Sequence, residues 1–167
     1  VEVRGHLIDS LLLPKILDRI LLMGGVFEIR ECRVGKRRVD PSYARIAVQA
    51  QTAEHLEQIL GDLVEHGASP VHPEDARVVP ADIAGAFPSE FYSTTNQPTQ
   101  IRLAGRWVDV LDQEMDCGIV VDPQTHEARC IPMTEVSVGM PIVVGYDGVR
   151  VHPVERPHRD GLDPACV

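Results

Sequence analysis

The hydrophobic pattern of the first eighty residues changes period in a set order, and this order constrains the fold more than any other feature. Apolar and polar residues alternate over residues 1–7, which is typical of a strand with one solvent-facing side. Over residues 11–23 the apolar residues recur every three or four positions, as in a helix, and two glycines follow. Asp9 and Ser10 are the expected helix caps. The chain is therefore predicted to begin with a strand and a helix.

The same two periods then repeat. Residues 26–34 and 43–51 alternate as strands, and a second helical period runs from Leu56 to Val64, between a Thr52 cap and Gly67. A short strand at residues 76–79 completes the set. The order β-α-β-β-α-β is that of the ferredoxin-like sandwich, in which two helices cover one face of a four-stranded antiparallel sheet. The sequence thus predicts an α+β chain with this sandwich at residues 1–80.

The rest of the chain lacks a helical period. Residues 81–98 are interpreted as an ordered connection, and residues 99–153 as a small all-β, barrel-like domain. Gly105, Asp122-Pro123 and Asp147-Gly148 mark its turns, the last as a hairpin signal. Residues 154–167 are expected to form a flexible tail or a truncated linker. The predicted strands are residues 100–104, 106–111, 118–121, 127–131, 141–144 and 149–152.

Charge and composition exclude several functional classes. With 16 Lys and Arg against 25 Asp and Glu, the net charge is −9, which argues against nucleic-acid binding. No apolar run approaches the roughly 20 residues that a membrane helix needs. No signal peptide is recognised, and the four cysteines form no dense pattern, so a cytoplasmic location is expected.

An acidic segment holds the first candidate site. Asp116 and Cys117 stand at the start of a predicted strand, beside Gly118, which would let a ligand approach the backbone. This arrangement suits a cationic or amine-binding corner, with Asp116 and Cys117 as the catalytic candidates. Two alternatives remain open: Asp116 as a solvated turn residue, and Cys117 as a buried, inert thiol.

Three other kinds of site have weaker support. Cys117, His126 and Cys130 have the spacing C-x8-H-x3-C, which lacks the paired ligands of structural zinc sites, so no metal is assigned. Neither a glycine-rich dinucleotide fingerprint nor a P-loop is present, and no cofactor is therefore assigned to this chain. The basic residues 33–38 are interpreted as a hairpin tip or as a holder for a carboxylate or phosphate.

Three segments carry a family resemblance: Thr94-Thr95-Asn96-Gln97-Pro98-Thr99, Arg106-Trp107-Val108, and Gln113-Glu114-Met115-Asp116-Cys117-Gly118-Ile119-Val120-Val121-Asp122. They resemble the region shared by lysine-ketoglutarate reductase/saccharopine dehydrogenase (LOR/SDH) bifunctional enzymes. The chain is most similar to archaeal ornithine cyclodeaminases and to cyanobacterial arginine dihydrolase/ornithine cyclodeaminases. The resemblance runs from about residue 2 to residue 157, and residues 113–122 are its most specific part.

The resemblance implies a role in arginine, ornithine or lysine catabolism. Family members convert ornithine to proline and ammonia with a tightly held NAD, and this region precedes a separate nucleotide-binding domain. Since the sequence ends at Val167, near where that domain would begin, we expect either a piece of a longer enzyme or a chain that needs a partner. The chain is accordingly predicted to be the substrate-side and assembly module, inactive alone. The alternative is a non-catalytic amino-acid-binding or oligomerisation module.

The same resemblance suggests how an amino acid of the ornithine or lysine class would bind. Asn96, Gln97 and Thr99 would donate to its carboxylate, while Glu114 and Asp116 would meet its ammonium group. Residues 94–99 and 114–118 are then expected to share one cleft between the two domains, with Cys117 and Gly118 at its floor. A nucleotide-binding domain in cis or in trans is the implied partner. The wide apolar surface of the first helix further predicts a homo-oligomer, most simply a dimer.

Overall fold

Two α-helices and eleven strands make up the main regular structure of the described residues, which are residues 1–5, 7, 11–37 and 40–153 of the computed structural model. A short 3-10 turn at Met133–Glu135 is the remaining regular element of these residues. In chain order the helices and strands are β1 (Glu2–Gly5), α1 (Leu12–Leu22), β2 (Val26–Arg33), β3 (Ser42–Gln49), α2 (Ala53–Glu65), β4 (Ala68–Ser69), β5 (Arg77–Pro80), β6 (Thr99–Leu103), β7 (Arg106–Leu111), β8 (Gly118–Val121), β9 (Ala128–Ile131), β10 (Pro141–Val144) and β11 (Val149–Val151).

The first half of the chain forms a four-stranded sheet in the order β2-β3-β1-β4, with every neighbouring pair antiparallel. Ile16 and Ile20 of α1 and Ile59 of α2 pack in one buried cluster with Val3 and Ile46 of the sheet. Because both helices share this cluster with alternate strand residues, they cover the same face. The α+β class is confirmed.

The helix boundaries follow from local chemistry. The Thr52 hydroxyl accepts a hydrogen bond from the backbone N–H of His55 (3.1 Å), so the predicted cap of α2 is confirmed. Helix α1 begins after Leu11, and Pro14 falls in its first turn, where the missing N–H costs nothing. The predicted caps Asp9 and Ser10 lie outside the described residues.

The fourth strand of this sheet was wrongly predicted at residues 76–79. The strand that pairs with β1 is β4, only two residues long, and Gly67 with its φ of +94° turns the chain into it directly after α2. A strand of two residues is too short to show an alternation of apolar and polar residues. The hydrophobic pattern therefore indicated the longer apolar run at residues 76–79 instead. That run is β5, which pairs with β10 in the second sheet.

The second sheet has seven strands in the order β11-β6-β7-β9-β8-β10-β5. Its neighbours are antiparallel except for the parallel pair β7–β9. The predicted strands of residues 99–153 agree with β6 to β11 within one residue at either end. The backbone N–H of Ala76 donates to the carbonyl of Arg102 (2.8 Å), which brings the start of β5 beside β6 and shows that the sheet curls.

The hairpin predicted at Asp147-Gly148 is wrong in its pairing. Strands β10 and β11 flank this turn, but β10 pairs with β8 and β5 whereas β11 pairs with β6. Gly148 has a φ of +64°, and a Cβ there would lie 2.3 Å from the Ala76 nitrogen. The glycine is therefore needed for a close approach of two backbone segments, as the chain crosses from one end of the sheet to the other.

The two sheets meet across α2. A Cβ on Gly61 would lie 2.4 Å from the Tyr146 ring, so the ring packs directly on the helix backbone. Val64 of the same helix is buried in the core of the second sheet. Among the described residues no helix is long and apolar enough to cross a membrane. The predicted tail at residues 154–167 lies outside the described residues.

Candidate functional site

Thr94 joins the two segments that the sequence assigned to one site. Its side chain is 2% exposed, and its hydroxyl accepts a hydrogen bond from the backbone N–H of Cys117 (3.0 Å). The hydroxyl also donates to the carbonyl of Glu114, and the Thr94 N–H donates to the carbonyl of Cys117 (2.9 Å). Residues 94–95 and 113–117 are therefore in direct contact, as expected, while their sharing of a cleft between the two domains stays a prediction.

Further bonds strengthen this junction. The backbone N–H of Asp116 donates to the carbonyl of Thr94 (2.9 Å), and the Gln113 side-chain amide donates to the carbonyl of Thr95 (2.6 Å). The Gln113 Oε1 atom is buried and has no hydrogen-bond partner among the described residues. An unsatisfied buried acceptor is costly, so it marks a position where a donor from a ligand or another chain segment would stabilise the site. The motif containing Gln113 was recognised, but this side chain was not among the predicted binding residues.

Asn96, Glu114 and Asp116 are the exposed polar residues of the two segments that Thr94 joins, and we call them the rim. Within the described part of the chain, neither carboxylate takes part in a hydrogen bond or an ion pair. Asp116 has a φ of +60°, in the left-handed region that residues other than glycine rarely adopt. Two carboxylates and an amide on one rim can receive an ammonium group and a carboxylate, provided that a further surface covers them.

Gln97 and Thr99 differ from the rim in their surroundings. Thr99 is 2% exposed, and its hydroxyl donates to the carbonyl of Gln97 (2.9 Å). The Gln97 amide donates to the side chain of Asn96 (3.3 Å). Thr99 thus fixes the backbone beneath the rim, whereas Gln97 adjoins the rim directly.

Cys117 and Gly118 are buried under the rim. Burial, reinforced by the Glu114 carboxylate, raises the pKa of the Cys117 thiol, which is 4% exposed. A protonated, buried thiol is a poor nucleophile, and this environment favours the inert alternative. The space beside Gly118 is filled by the Phe87 ring, whose Cε1 atom would lie 2.4 Å from a Cβ there. Gly118 therefore accommodates an aromatic ring rather than a ligand.

The alternative metal site receives no support. Among the described residues no group of three or more His, Cys, Asp and Glu side chains could hold a metal ion. Cys117 and Cys130 are both buried, while His126 is exposed on the turn after β8, where its N–H donates to the carbonyl of Asp122 (2.9 Å). The strand pairing that buries the cysteines leaves the histidine at the turn.

A cavity of about 290 Å³ lies between the two sheets, but it lies apart from the rim. Its walls come from β1, β4, β7 and the end of β11, and none of the predicted site residues lines it. The cavity is therefore not the cleft that residues 94–99 and 114–118 were expected to share. Its basic residues, Arg4, Arg150 and His152, are distant in sequence, so no local pattern could have predicted that they meet.

Comparison with known proteins gives these features a family. The conserved region of the LOR/SDH bifunctional enzymes matches residues 1–97. The chain belongs to the LOR/SDH family. Residues 98–162 match the first C-terminal region of proteins similar to the arginine dihydrolase ArgZ. The boundary between the two matches falls directly before β6, where the second sheet gains its first strand after the connection.

Relatives of this LOR/SDH chain include the ornithine cyclodeaminase of Methanopyrus kandleri, which is 50% identical over 97% of the chain and 40% of its own length. The bifunctional arginine dihydrolase/ornithine cyclodeaminase ArgZ of Synechocystis is 31% identical over 96% of the chain and 23% of its length. The crystal structure of AgrE with ornithine and NAD⁺ superposes with a TM-score of 0.82 at 31% identity, over 92% of this chain and 23% of that one. The chain thus spans two fifths or less of these relatives.

Proposed function

We propose that this region is the substrate-side and assembly module of an NAD-dependent, ornithine cyclodeaminase-like enzyme of arginine, ornithine or lysine catabolism. The observation that carries the proposal is the match of both halves of the chain to this family. The related AgrE was solved with ornithine and NAD⁺. Because the sequence has no glycine-rich phosphate-binding turn, NAD would be held by a nucleotide-binding domain in cis or in trans.

In this proposal the amino acid binds at the rim. Its ammonium group meets Glu114 and Asp116, and its carboxylate meets the amides of Asn96 and Gln97. The support comes from the hydrogen bonds that hold residues 113–117 against residues 94–95 and from the unpaired rim carboxylates. Asp116 is the catalytic candidate. Thr99 acts by fixing the backbone of Gln97, and Cys117 acts through its main chain.

Asp116→Asn in the full-length enzyme tests this assignment, since it keeps the volume and removes the charge. A charge-assisted hydrogen bond contributes about 1.5–3 kcal/mol, so ornithine affinity should fall roughly 10- to 150-fold. Asp82→Asn is the matched control, because Asp82 is also exposed and loses the same charge away from the rim. Binding is measured by calorimetry, and turnover by proline and ammonia release. Equal ornithine affinity in the two variants would return Asp116 to the role of a solvated turn residue.

A second candidate function, oligomerisation without catalysis, is favoured by one observation. Leu21 and Leu22 at the end of α1 and Val26 and Ile29 of the edge strand β2 are exposed, Leu22 to 79%. An apolar edge of this kind suits pairing with a second copy. The first sheet with its helices would act as a ferredoxin-like sandwich ending near Ser69, and residues 99–153 as a barrel-like unit. An assembled protein that binds no ornithine would favour this alternative.

A further inference from the structure

The cavity between the sheets has a polar lining that the amino-acid site does not use. Glu2 and Arg4 of β1 and Ser69 of β4 form one wall, while Trp107 of β7, Arg150 of β11 and the adjoining His152 form the other. The volume of about 290 Å³ exceeds that of a few water molecules. Three basic side chains from two different sheets therefore face one space; we call it the basic groove.

The basic groove has too few carboxylates to neutralise its cations. Glu2 is shared, because its carboxylate accepts from Arg4 (3.3 Å), Arg45 (3.2 Å) and the hydroxyl of Tyr43 (2.8 Å). Arg150 makes no ion pair among the described residues. One guanidinium in the groove is thus without a counter-ion.

Neutral contacts hold Arg150 in place. Its guanidinium lies over the Trp107 ring, 4.1 Å from the centroid, and donates to Gln100 Oε1. The same Gln100 oxygen lies 3.0 Å from His152 Nε2. Asp109 is the nearby acid, and its carboxylate accepts from the Gln100 amide at 2.7 Å. Arg150 is therefore preorganised by stacking and by an amide.

The surroundings of the groove change the pKa values of Arg150 and His152. Burial lowers the pKa of Arg150, and the proximity of Arg4 lowers it further, while Asp109 opposes both effects. Burial lowers the pKa of His152 as well, and Arg150 adds to this effect while Asp109 opposes it. Arg4 thus acts on Arg150, and Arg150 on His152, and an anion between these groups would offset their unfavourable interaction.

We propose that the basic groove binds a phosphate group, either free phosphate or the terminal phosphate of a small metabolite. Two guanidiniums from opposite walls, an imidazole and the Ser69 hydroxyl offer donors to several oxygens of one tetrahedral anion. Arginine suits this role because its planar donors match phosphate oxygens in pairs. The ligand differs in charge from ornithine, and the groove is separate from the rim, so the proposal stands independently of the amino-acid site.

Calorimetric titration of the full-length enzyme tests the proposal directly, without turnover. Inorganic phosphate and glycerol 3-phosphate distinguish a free from an esterified ligand, and malonate at equal ionic strength tests a dicarboxylate. We expect binding of at least one phosphate compound, with uptake of a proton by His152 seen as a buffer-dependent heat. No heat up to tens of millimolar phosphate, or equal binding of malonate, would overturn the phosphate assignment.

Variants locate the ligand. Arg150→Gln should weaken phosphate binding about 10- to 150-fold. Arg4→Gln is a second variant, chosen because the Arg4 side chain is 74% exposed and its replacement leaves the core intact. It keeps the test decisive if Arg150→Gln misfolds. Arg77→Gln is the matched control, because it also removes one positive charge, but Arg77 lies on β5, pairs with Glu90 and is outside the groove. Arg4→Gln binding phosphate as well as Arg77→Gln would refute the groove as the site.

Discussion

Replacing Thr94 by Val isolates the hydrogen bonds that hold the candidate site together. Valine keeps the shape of the side chain and removes the hydroxyl, so the Cys117 N–H and the Glu114 carbonyl lose their bonds to it. Each unsatisfied buried group costs about 1–3 kcal/mol, and a net loss of about 3 kcal/mol is expected. For a domain of this size the melting temperature should fall by about 6–12 °C.

The same substitution should act on ornithine binding through the rim. Without the Thr94 hydroxyl, the turn that carries Asp116 keeps its two main-chain bonds to Thr94 and the Gln113 bond to Thr95, but its left-handed backbone loses the hydroxyl bonds to Glu114 and Cys117. We therefore expect weaker ornithine binding by the folded full-length variant, measured by calorimetry below its melting temperature.

Two controls make this result interpretable. Thr94→Ser keeps the hydroxyl and should retain most of the stability and the binding. Ser93→Ala removes an exposed neighbouring hydroxyl and should change neither. If Thr94→Val melts within 2 °C of Ser93→Ala, the hydrogen bonds of the Thr94 hydroxyl do not hold the turn, and Thr94 does not support the rim.

Three further outcomes are expected. Gly118→Ala should cost about 1–3 kcal/mol in urea unfolding because its Cβ meets the Phe87 ring, and adding Phe87→Leu should restore part of the loss; a neutral Gly118→Ala would disprove the contact. Leu22→Lys should reduce the mass measured by light scattering to that of one chain, whereas Val138→Lys, also on an exposed apolar position, should not; a wild-type protein that is already monomeric rejects the oligomer. Because the pKa of His152 is lowered in the folded state, the folded protein should lose stability as the pH falls from 6.5, the ordinary pKa of histidine, through the folded pKa. His152→Gln should therefore flatten the dependence of the unfolding free energy on pH below 6.5, as measured in urea. An unchanged dependence would contradict the lowered pKa.

The sequence predicted the elements better than their partners. Alternation and helical period located both helices and most strands, because these periods are local properties of the chain. The errors fall where pairing is decided over long distances: β5 leaves the first sheet for β10, and the turn at Gly148 separates two strands that do not pair. At Gly148 the glycine permits a close approach to Ala76 that a local pattern does not reveal.

The candidate site shows the same division. Residues 94–99 and 113–118 were found because each forms a continuous, specific motif, and Thr94 does bring them together. Their side-chain roles could not be predicted, since burial separates Cys117 and Thr99 from the exposed rim and places Phe87 against Gly118. The basic groove was missed because Arg4 and Arg150 meet only when the two sheets pack.

The rim and the basic groove are connected by one short stretch of backbone. Thr94 fixes its start, and at its end the N–H of His152 donates to the carbonyl of Pro98 (2.8 Å). Two residues after Pro98, the Gln100 side chain contacts both Arg150 and His152 in the groove. A phosphate held by Arg150 and His152 therefore contacts residues that also hold the end of this backbone stretch. Any coupling between the two ligands is reciprocal, so ornithine titrations with and without phosphate, and the converse titrations, measure the same coupling.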